Sequence, residues 1–233
     1  MTCRRCHMKI LIINGSPRGL KGNTGQLINA FVKTLQQEDV GSEVINLGEI
    51  ELNPCTGCEA CARTGVCVIK DDVAGIQKKM LAADGLVYAS PNYMMNVSGH
   101  MKMFMDRCFT HVHCQTMVGK YGAALVSSAG PIFDTIEEYL LSVQGFLGCW
   151  KVGSTGACVM QLEDEDECQN VCVEVGELAR KLILAIKAGQ PIADQEEYRE
   201  QTFSMMQFMV SNKRDDWPYE YQYWKEHWGI EEE

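Results

Sequence analysis

The chain has 233 residues, 46% of them hydrophobic and 22% charged, with a net charge of −10 at neutral pH. That length and balance suit one sizeable globular core and exclude a disordered chain. The acidic surplus argues against general binding to nucleic acid or anionic membrane, although it leaves room for a local basic pocket.

The opening "MTCRRCHMKILIING" joins basic residues to an apolar stretch too short for a signal peptide. Met8, where the first strand opens, is an alternative start that would leave 2–7 a leader of little structural consequence. No apolar run is long enough to span a bilayer, so the chain reads as cytoplasmic. There its twelve cysteines stay reduced, and clustered ones point to metal or redox chemistry.

Residues 8–14, "MKILIIN", form a continuous apolar run ending in a Gly-Ser-Pro turn, which predicts a strand buried on both faces. The spacing of Leu27, Phe31 and Leu35 predicts a helix over 24–37, and "EVINL" (43–47) a second strand. A cysteine-rich loop (54–67) leads to a helix over 72–82, then to a third strand, "DGLVYASP" (84–91). A helix over 98–109 precedes the fourth strand, "YGAALVSSAG" (121–130). After a helix over 134–146, "KVGSTGACVM" (151–160) gives a fifth strand, whose glycines predict a bend or bulge. A long helix over 164–188 places Val171, Val175, Leu178 and Leu182 on one face, and "EDEDE" (163–167) suits its positive N-terminal end. A last helix covers 195–211. Alternating strands and helices predict right-handed βαβ units and a three-layer α/β/α domain with a five-stranded parallel sheet. Ligands of such sheets bind at the carboxyl ends of the strands, so the loops after the first, third and fourth strands are the candidate site.

The first of these loops, "NGSPRGLKGNT" (14–24), lacks both the Walker pattern and G-x-G-x-x-G. It offers Ser16, Asn23 and Thr24, the guanidinium of Arg18, and the glycines Gly15, Gly19 and Gly22, with Gly25 directly after it. Amides at a helix N-terminus with hydroxyls and one guanidinium suit a terminal monophosphate. The plainer reading is a helix N-cap on Asn23 or Thr24. In "PCTGCEACARTGVC" (54–67), Cys55, Cys58, Cys61 and Cys67 stand at the spacing C-x2-C-x2-C-x5-C. One loop of four thiolates suits a [4Fe–4S] cluster; free thiols, zinc and a redox-active disulfide are the alternatives.

"CFTHVHC" (108–114) reads as a helix end with partly buried Cys108 and Cys114 and solvated His111 and His113. Cys149, Cys158, Cys168 and Cys172 read as core thiols, and Cys3 and Cys6 as part of a frayed tail. Asp106 and Arg107 are expected to pair locally or with a neighbouring element. The tail "DDWPYEYQYWKEHWGI" (215–230) holds three of the four tryptophans. Left in solvent it would invite aggregation, so it is expected to dock on its own domain or on a partner subunit.

"GSPR" and "GNT" after a buried first strand, "CVIKDD" (67–72), "ADGLVYASP" (83–91) and "SPNYMMNVSGHMKMFMDR" (90–107) follow one another in a familiar order. Over about 8–188 the chain resembles the NADPH-dependent FMN reductases of the flavodoxin-like fold. The resemblance implies FMN, with Ser16, Arg18, Asn23 and Thr24 around its phosphate. It implies Pro91, Asn92, Tyr93, Met94 and Asn96 beside the ring and ribityl chain, and Ser127, Ser128 and Gly130 as a third wall. The residue types agree, since a flat amphipathic ring needs a soft apolar face and backbone donors. Tyr93, Met94 and Met95 can supply that face.

The cysteine spacing is similar to that of the iron–sulfur flavoproteins of this family, which implies Cys55, Cys58, Cys61 and Cys67 as ligands of a [4Fe–4S] cluster. "SSAGPIFD" stands where that branch tends to have a Gly-rich loop ending in Gly-Gly-Gln-Glu. The function implied is an FMN-dependent oxidoreductase passing electrons from NAD(P)H to a small quinone-like acceptor, with no catalytic side chain because the flavin carries the chemistry. The alternatives are an electron carrier reduced by ferredoxin, without small-molecule turnover, and a regulatory thiol sensor that binds no flavin. A homodimer or higher homo-oligomer is implied as well. The organisation expected is an FMN-binding domain over 1–212, with its core at 8–188, and an aromatic tail over 213–233.

Overall fold

A computed structural model describes residues 8–230; Cys3 and Cys6 lie outside the described residues. Five strands form one parallel sheet: β1 (Lys9–Asn14), β2 (Gly41–Asn46), β3 (Gly85–Pro91), β4 (Tyr121–Ser128) and β5 (Trp150–Cys158). Their order is β2-β1-β3-β4-β5, the flavodoxin-like order, with its switch point between β1 and β3. Every residue of β3 and β4 is buried, as expected of central parallel strands covered on both faces.

Helices α1 (Asn23–Gln37) and α8 (Glu165–Ala188) cover one face, where Leu27, Phe31, Leu35, Val171, Val175, Leu178 and Leu182 pack against Ile10, Val87 and Leu125. On the other face α3 (Val73–Ala82), α4 (Gly99–Asp106) and α6 (Asp134–Phe146) bury Ile76, Phe104 and Leu140 against Leu11, Leu86 and Val126. The irregularity foreseen in the fifth strand is a bulge. Gly122 pairs with Lys151 and Ala123 with Gly153, which leaves Val152 as the extra residue. The acidic run opens α8, where Asp164 caps the helix by accepting from the Glu167 amide.

The helix expected over 98–109 is instead two, α4 and the short α5 (Phe109–His113). The α pattern stops at Arg107, whose amide reaches only to Phe104 and whose carbonyl accepts from Gln77 Nε2 at 2.7 Å. Three further short pieces are α2 (Ala60–Thr64), α7 (Val159–Glu163) and the tail helix α10 (Pro218–Trp228); α9 spans Glu196–Asn212.

Helix α10 starts with proline in its first turn and docks on its own chain. Ala62, Met206, Val210, Trp217 and Trp224 form a separate small core. Two indoles of the tail serve the end of α5. Trp224 Nε1 donates to the His113 carbonyl (2.8 Å) and Trp228 Nε1 to that of Cys114 (3.0 Å). These are carbonyls a helix end leaves without internal partners.

This docking also corrects the reading of the two histidines as solvated. His113 is buried, stacks on Trp217 with ring centroids 4.7 Å apart, and donates through Nδ1 to the fully buried Glu220 at 2.9 Å. His111 is half-buried against Thr116, and burial pushes its pKa down to about 4.

Candidate functional site

Three loops meet at the carboxyl edge of the sheet. Asn14, the last residue of β1, donates to Asn46 at the end of β2 (2.9 Å), and its side-chain oxygen accepts from the Ser16 amide (2.9 Å). The Gly15 amide donates to Ala89 of β3. The backbone at Gly15 passes so close to α4 that a Cβ there would lie 2.7 Å from Met101 Cβ and 2.8 Å from Ser98 Oγ. Ser98 itself caps α4, accepting from Met101 N and donating to the Gly15 carbonyl at 2.6 Å.

Helix α1 opens without a side-chain cap. Its N-cap position is Gly22, and neither Asn23 nor Thr24 caps it. The first-turn amides therefore keep their anion-binding capacity. Thr24 is buried and shares a hydrogen bond of 2.7 Å with Ser127 at the end of β4. Arg18 is exposed on the same loop, and among the described residues it makes no salt bridge. Ser16 is buried, with its hydroxyl accepting from the Arg18 amide. An anion at this turn would meet uncapped amides and an unpaired guanidinium, so these residues fit a phosphate group.

The loop after β3 is braced to the one after β4. Asn92 N donates to the Ser127 carbonyl, and Asn92 Nδ2 to Ser128 Oγ (3.1 Å) and the Ile132 carbonyl (2.7 Å). Gly130 belongs to the same brace, its carbonyl accepting from the Ile132 amide. Tyr93 and Asn96 exchange both backbone hydrogen bonds across Met94 and Met95, whose φ values are +50° and +62°. Two central residues at positive φ mark a type I′ turn, which normally takes glycine or asparagine; methionine there costs roughly 1–2 kcal/mol at each position. The strained turn presents Tyr93 and the two methionines outward, with Met94 96% exposed. Such strain is commonly kept at ligand sites, and an exposed soft apolar face beside braced backbone fits one side of a flat ring. Pro91 is buried as the last residue of β3.

The cysteines occupy a second place. Cys55, Cys61 and Cys67 line a cavity of about 340 Å³ together with Cys114, Arg107 and Thr110. Tyr219, Tyr223 and His227 of α10 close its outer side. Cys58 is exposed and is not among the lining residues. The amide of Ala60, and after it the Thr56 hydroxyl, holds the Cys58 thiol below its ordinary pKa, whereas burial pushes that of Cys61 up. Buried Cys108 and Cys149 are each pushed up to about 12 by desolvation.

Among the described residues no three metal-binding side chains converge as a formed ligand set. The donors nevertheless fit a thiolate-held cluster in kind and number, and three of them already share one cavity. None of the residues of the three loops at the carboxyl edge of the sheet lines that cavity. It borders the last turn of α4, whose first turn meets Gly15, and α4 has eight residues, a length of about 12 Å.

Sequence reasoning missed Asn14, Ser90 and Ser98, which hold the loops in place. Ser98 was the most accessible of these, as a serine just before a helix. It also left open the partner of Arg107. That guanidinium is buried and forks onto the carboxylate of Asp71 at 2.7 and 3.1 Å. Burial alone would raise the Asp71 pKa, but Arg107 and the amides of Asn53 and Val73 outweigh it and hold it low.

A family model described as NADPH-dependent FMN reductase matches residues 8–162. An iron-sulfur flavoprotein of Archaeoglobus fulgidus is 34% identical over 152 residues, covering 65% of this chain and 68% of that one. An iron-sulfur flavoprotein of Methanocaldococcus jannaschii is 46% identical over 100 residues, covering 43% of this chain; the match spans only about half (51%) of that relative. Among solved structures, an NAD(P)H:quinone oxidoreductase from Methanothermobacter marburgensis matches with TM-score 0.59 and 18% identity, over 75% of this chain and 96% of that one. An FMN-dependent NADH-azoreductase from Bacillus anthracis matches with TM-score 0.56 and 18% identity, over 75% and 99%. At such identities the structural likeness speaks for the fold alone. The family model, matching well over half the chain on the segment that carries the three loops, establishes that this chain belongs to the NADPH-dependent FMN reductase family.

Proposed function

We propose that the chain is an FMN-dependent oxidoreductase that takes electrons from NAD(P)H and delivers them to a small quinone-like acceptor. In this reading Ser16, Arg18, Asn23 and Thr24 hold the phosphate of FMN. Pro91, Asn92, Tyr93, Met94 and Asn96 lie along its ring and ribityl chain, and Ser127, Ser128 and Gly130 close the third side. The observation that carries it is the uncapped start of α1, laced through Thr24 to Ser127 and flanked by the unpaired Arg18.

Bound FMN would supply hydride acceptance and onward electron transfer; the chain's own residues bind and orient. The first-turn amides of α1 and Arg18 neutralise the phosphate. The Asn92–Ser128 brace fixes the wall of the ring site. Tyr93, Met94 and Met95 give an apolar face and limit water on one side. No side chain is required as acid or base.

Cys55, Cys58, Cys61 and Cys67 are read as the holders of a [4Fe–4S] cluster, which would supply one-electron transfer. The shared cavity of three of them and the iron-sulfur flavoprotein relatives support this. A homodimer belongs to the same reading, supported by the apolar rim of Met94, Met95, Ile132 and Met160, all exposed.

Anaerobic titration of the FMN-loaded protein with NADPH and NADH tests the function. Rapid stoichiometric bleaching of the flavin is expected. A flavin that neither nucleotide reduces, but that reduced ferredoxin does, would turn the assignment to an electron carrier.

A further inference from the structure

The cysteine cavity contains a polar atom that the fold leaves without work. The Arg107 side chain is only 1% exposed. Its Nη1 donates to Asp71 and to the Asn53 carbonyl (2.8 Å), and its Nη2 to Asp71 and to Cys67 Sγ (3.4 Å). Its Nε, also buried, has no partner; the buried hydroxyl of Thr110 makes no hydrogen bond of ordinary geometry but lies close enough to Cys61 to act on its thiol. Both residues line the cavity that Cys55, Cys61 and Cys67 share.

A buried donor left unmatched keeps its full desolvation cost, and folded chains rarely keep one unless something completes it. Asp71 accounts for the charge of Arg107 but not for its Nε, and for the Thr110 hydroxyl the fold offers the Cys61 sulfur. The acceptor still missing is that of Arg107 Nε, and the cavity that Arg107 lines has room for one. Its walls carry thiols, and one guanidinium nitrogen already rests on a sulfur. Sulfur carrying negative charge, as thiolate or as inorganic sulfide, accepts such bonds, and hydrogen bonds to sulfur are one of the levers on a cluster's potential.

From this we infer that Arg107 and Thr110, which stand outside the four-cysteine spacing, are the positioning residues of the cysteine site. They donate to its sulfur atoms, fix Cys67 and Cys61 as ligands, and raise the potential of the cluster. The inference rests on the reading of this loop as a cluster-holding one. Arg107 is placed for the task, because it ties Asn53, just before the motif, and Cys67, its last member, to the end of α4.

Two variants of the full chain test it. Thr110→Val keeps the shape and removes the hydroxyl; Arg107→Lys keeps the charge and removes the fork. Each is reconstituted anaerobically with iron and sulfide, and the midpoint potential is read by EPR-monitored titration. In parallel, the metal-free proteins are titrated with Co²⁺ alone, read by the thiolate-to-cobalt absorption. Thr110→Val is expected to hold as much iron as the parent chain at a more negative midpoint. Arg107→Lys is expected to bind Co²⁺ at least about tenfold more weakly, with an unchanged near-UV circular dichroism spectrum. Parent-like iron content, midpoint and Co²⁺ affinity in both variants would overturn the inference. If the parent chain binds Co²⁺ but assembles no cluster, the cluster reading alone fails, and the Co²⁺ affinities decide on the positioning residues. If it binds neither, both fall.

Discussion

The hydroxyl oxygens of Thr24 and Ser127 lie 2.7 Å apart, although 103 residues separate them in sequence. The pair joins the first turn of α1 to the end of β4, and so joins the candidate phosphate loop to the third wall of the site. Thr24→Val keeps the shape and removes the bond. A net loss of about 1 kcal/mol in stability is expected, read as a lower urea midpoint, together with roughly tenfold weaker FMN binding. Unchanged FMN affinity would separate this pair from the site.

Arg18 is exposed and makes no salt bridge among the described residues, so its removal should leave the fold alone. Arg18→Gln is expected to change stability by less than about 0.5 kcal/mol. A charge-assisted hydrogen bond is worth about 1.5–3 kcal/mol, so FMN should bind at least about tenfold more weakly. Flavin fluorescence quenching and urea unfolding on the same preparation check both halves.

The order of elements was legible because the central strands, such as 9–14 and 85–91, are unbroken apolar runs, and α8 repeats its apolar residues at helical spacing. The candidate phosphate loop stood out for a different reason: its glycines, hydroxyls and lone arginine have little to do in a core. The break between α4 and α5 was hidden because it depends on Gln77, thirty residues earlier, taking the Arg107 carbonyl. The burial of His113 was hidden too, since it requires Trp217 and Glu220 to arrive from the tail. Long-range partners of polar groups leave no local pattern, and the Arg107–Asp71 fork is another case.

Gly65 ends α2 at φ +74°, and a Cβ there would stand 2.4 Å from the ring of Tyr219. Gly65→Ala should therefore strain the backbone and push α10 off the cysteine loop. A stability loss of more than about 1 kcal/mol is expected, with a shift of tryptophan emission to longer wavelength and faster proteolysis between α9 and α10. Parent-like emission and cleavage would show that the tail does not depend on this contact.

His111 makes acid destabilisation predictable. Burial holds its folded pKa at about 4, against an ordinary 6.5. Between those values the unfolded chain binds a proton that the folded chain does not. The stability linked to His111 is complete above pH 6.5 and is lost as the pH falls towards 4, on the order of 1–3 kcal/mol in the metal-free protein. Urea midpoints at pH 7 and pH 4.5 should differ less in His111→Asn than in the parent chain; equal differences would place His111 in water.

The central claim is that the turn between β1 and α1 grips a phosphate. Titration of the flavin-free protein with FMN and, separately, with riboflavin tests it most directly, because the two ligands differ only in that group. FMN is expected to bind at least about a hundredfold more tightly, the worth of one to two charge-assisted hydrogen bonds. Equal affinities, or no binding of either, would contradict it.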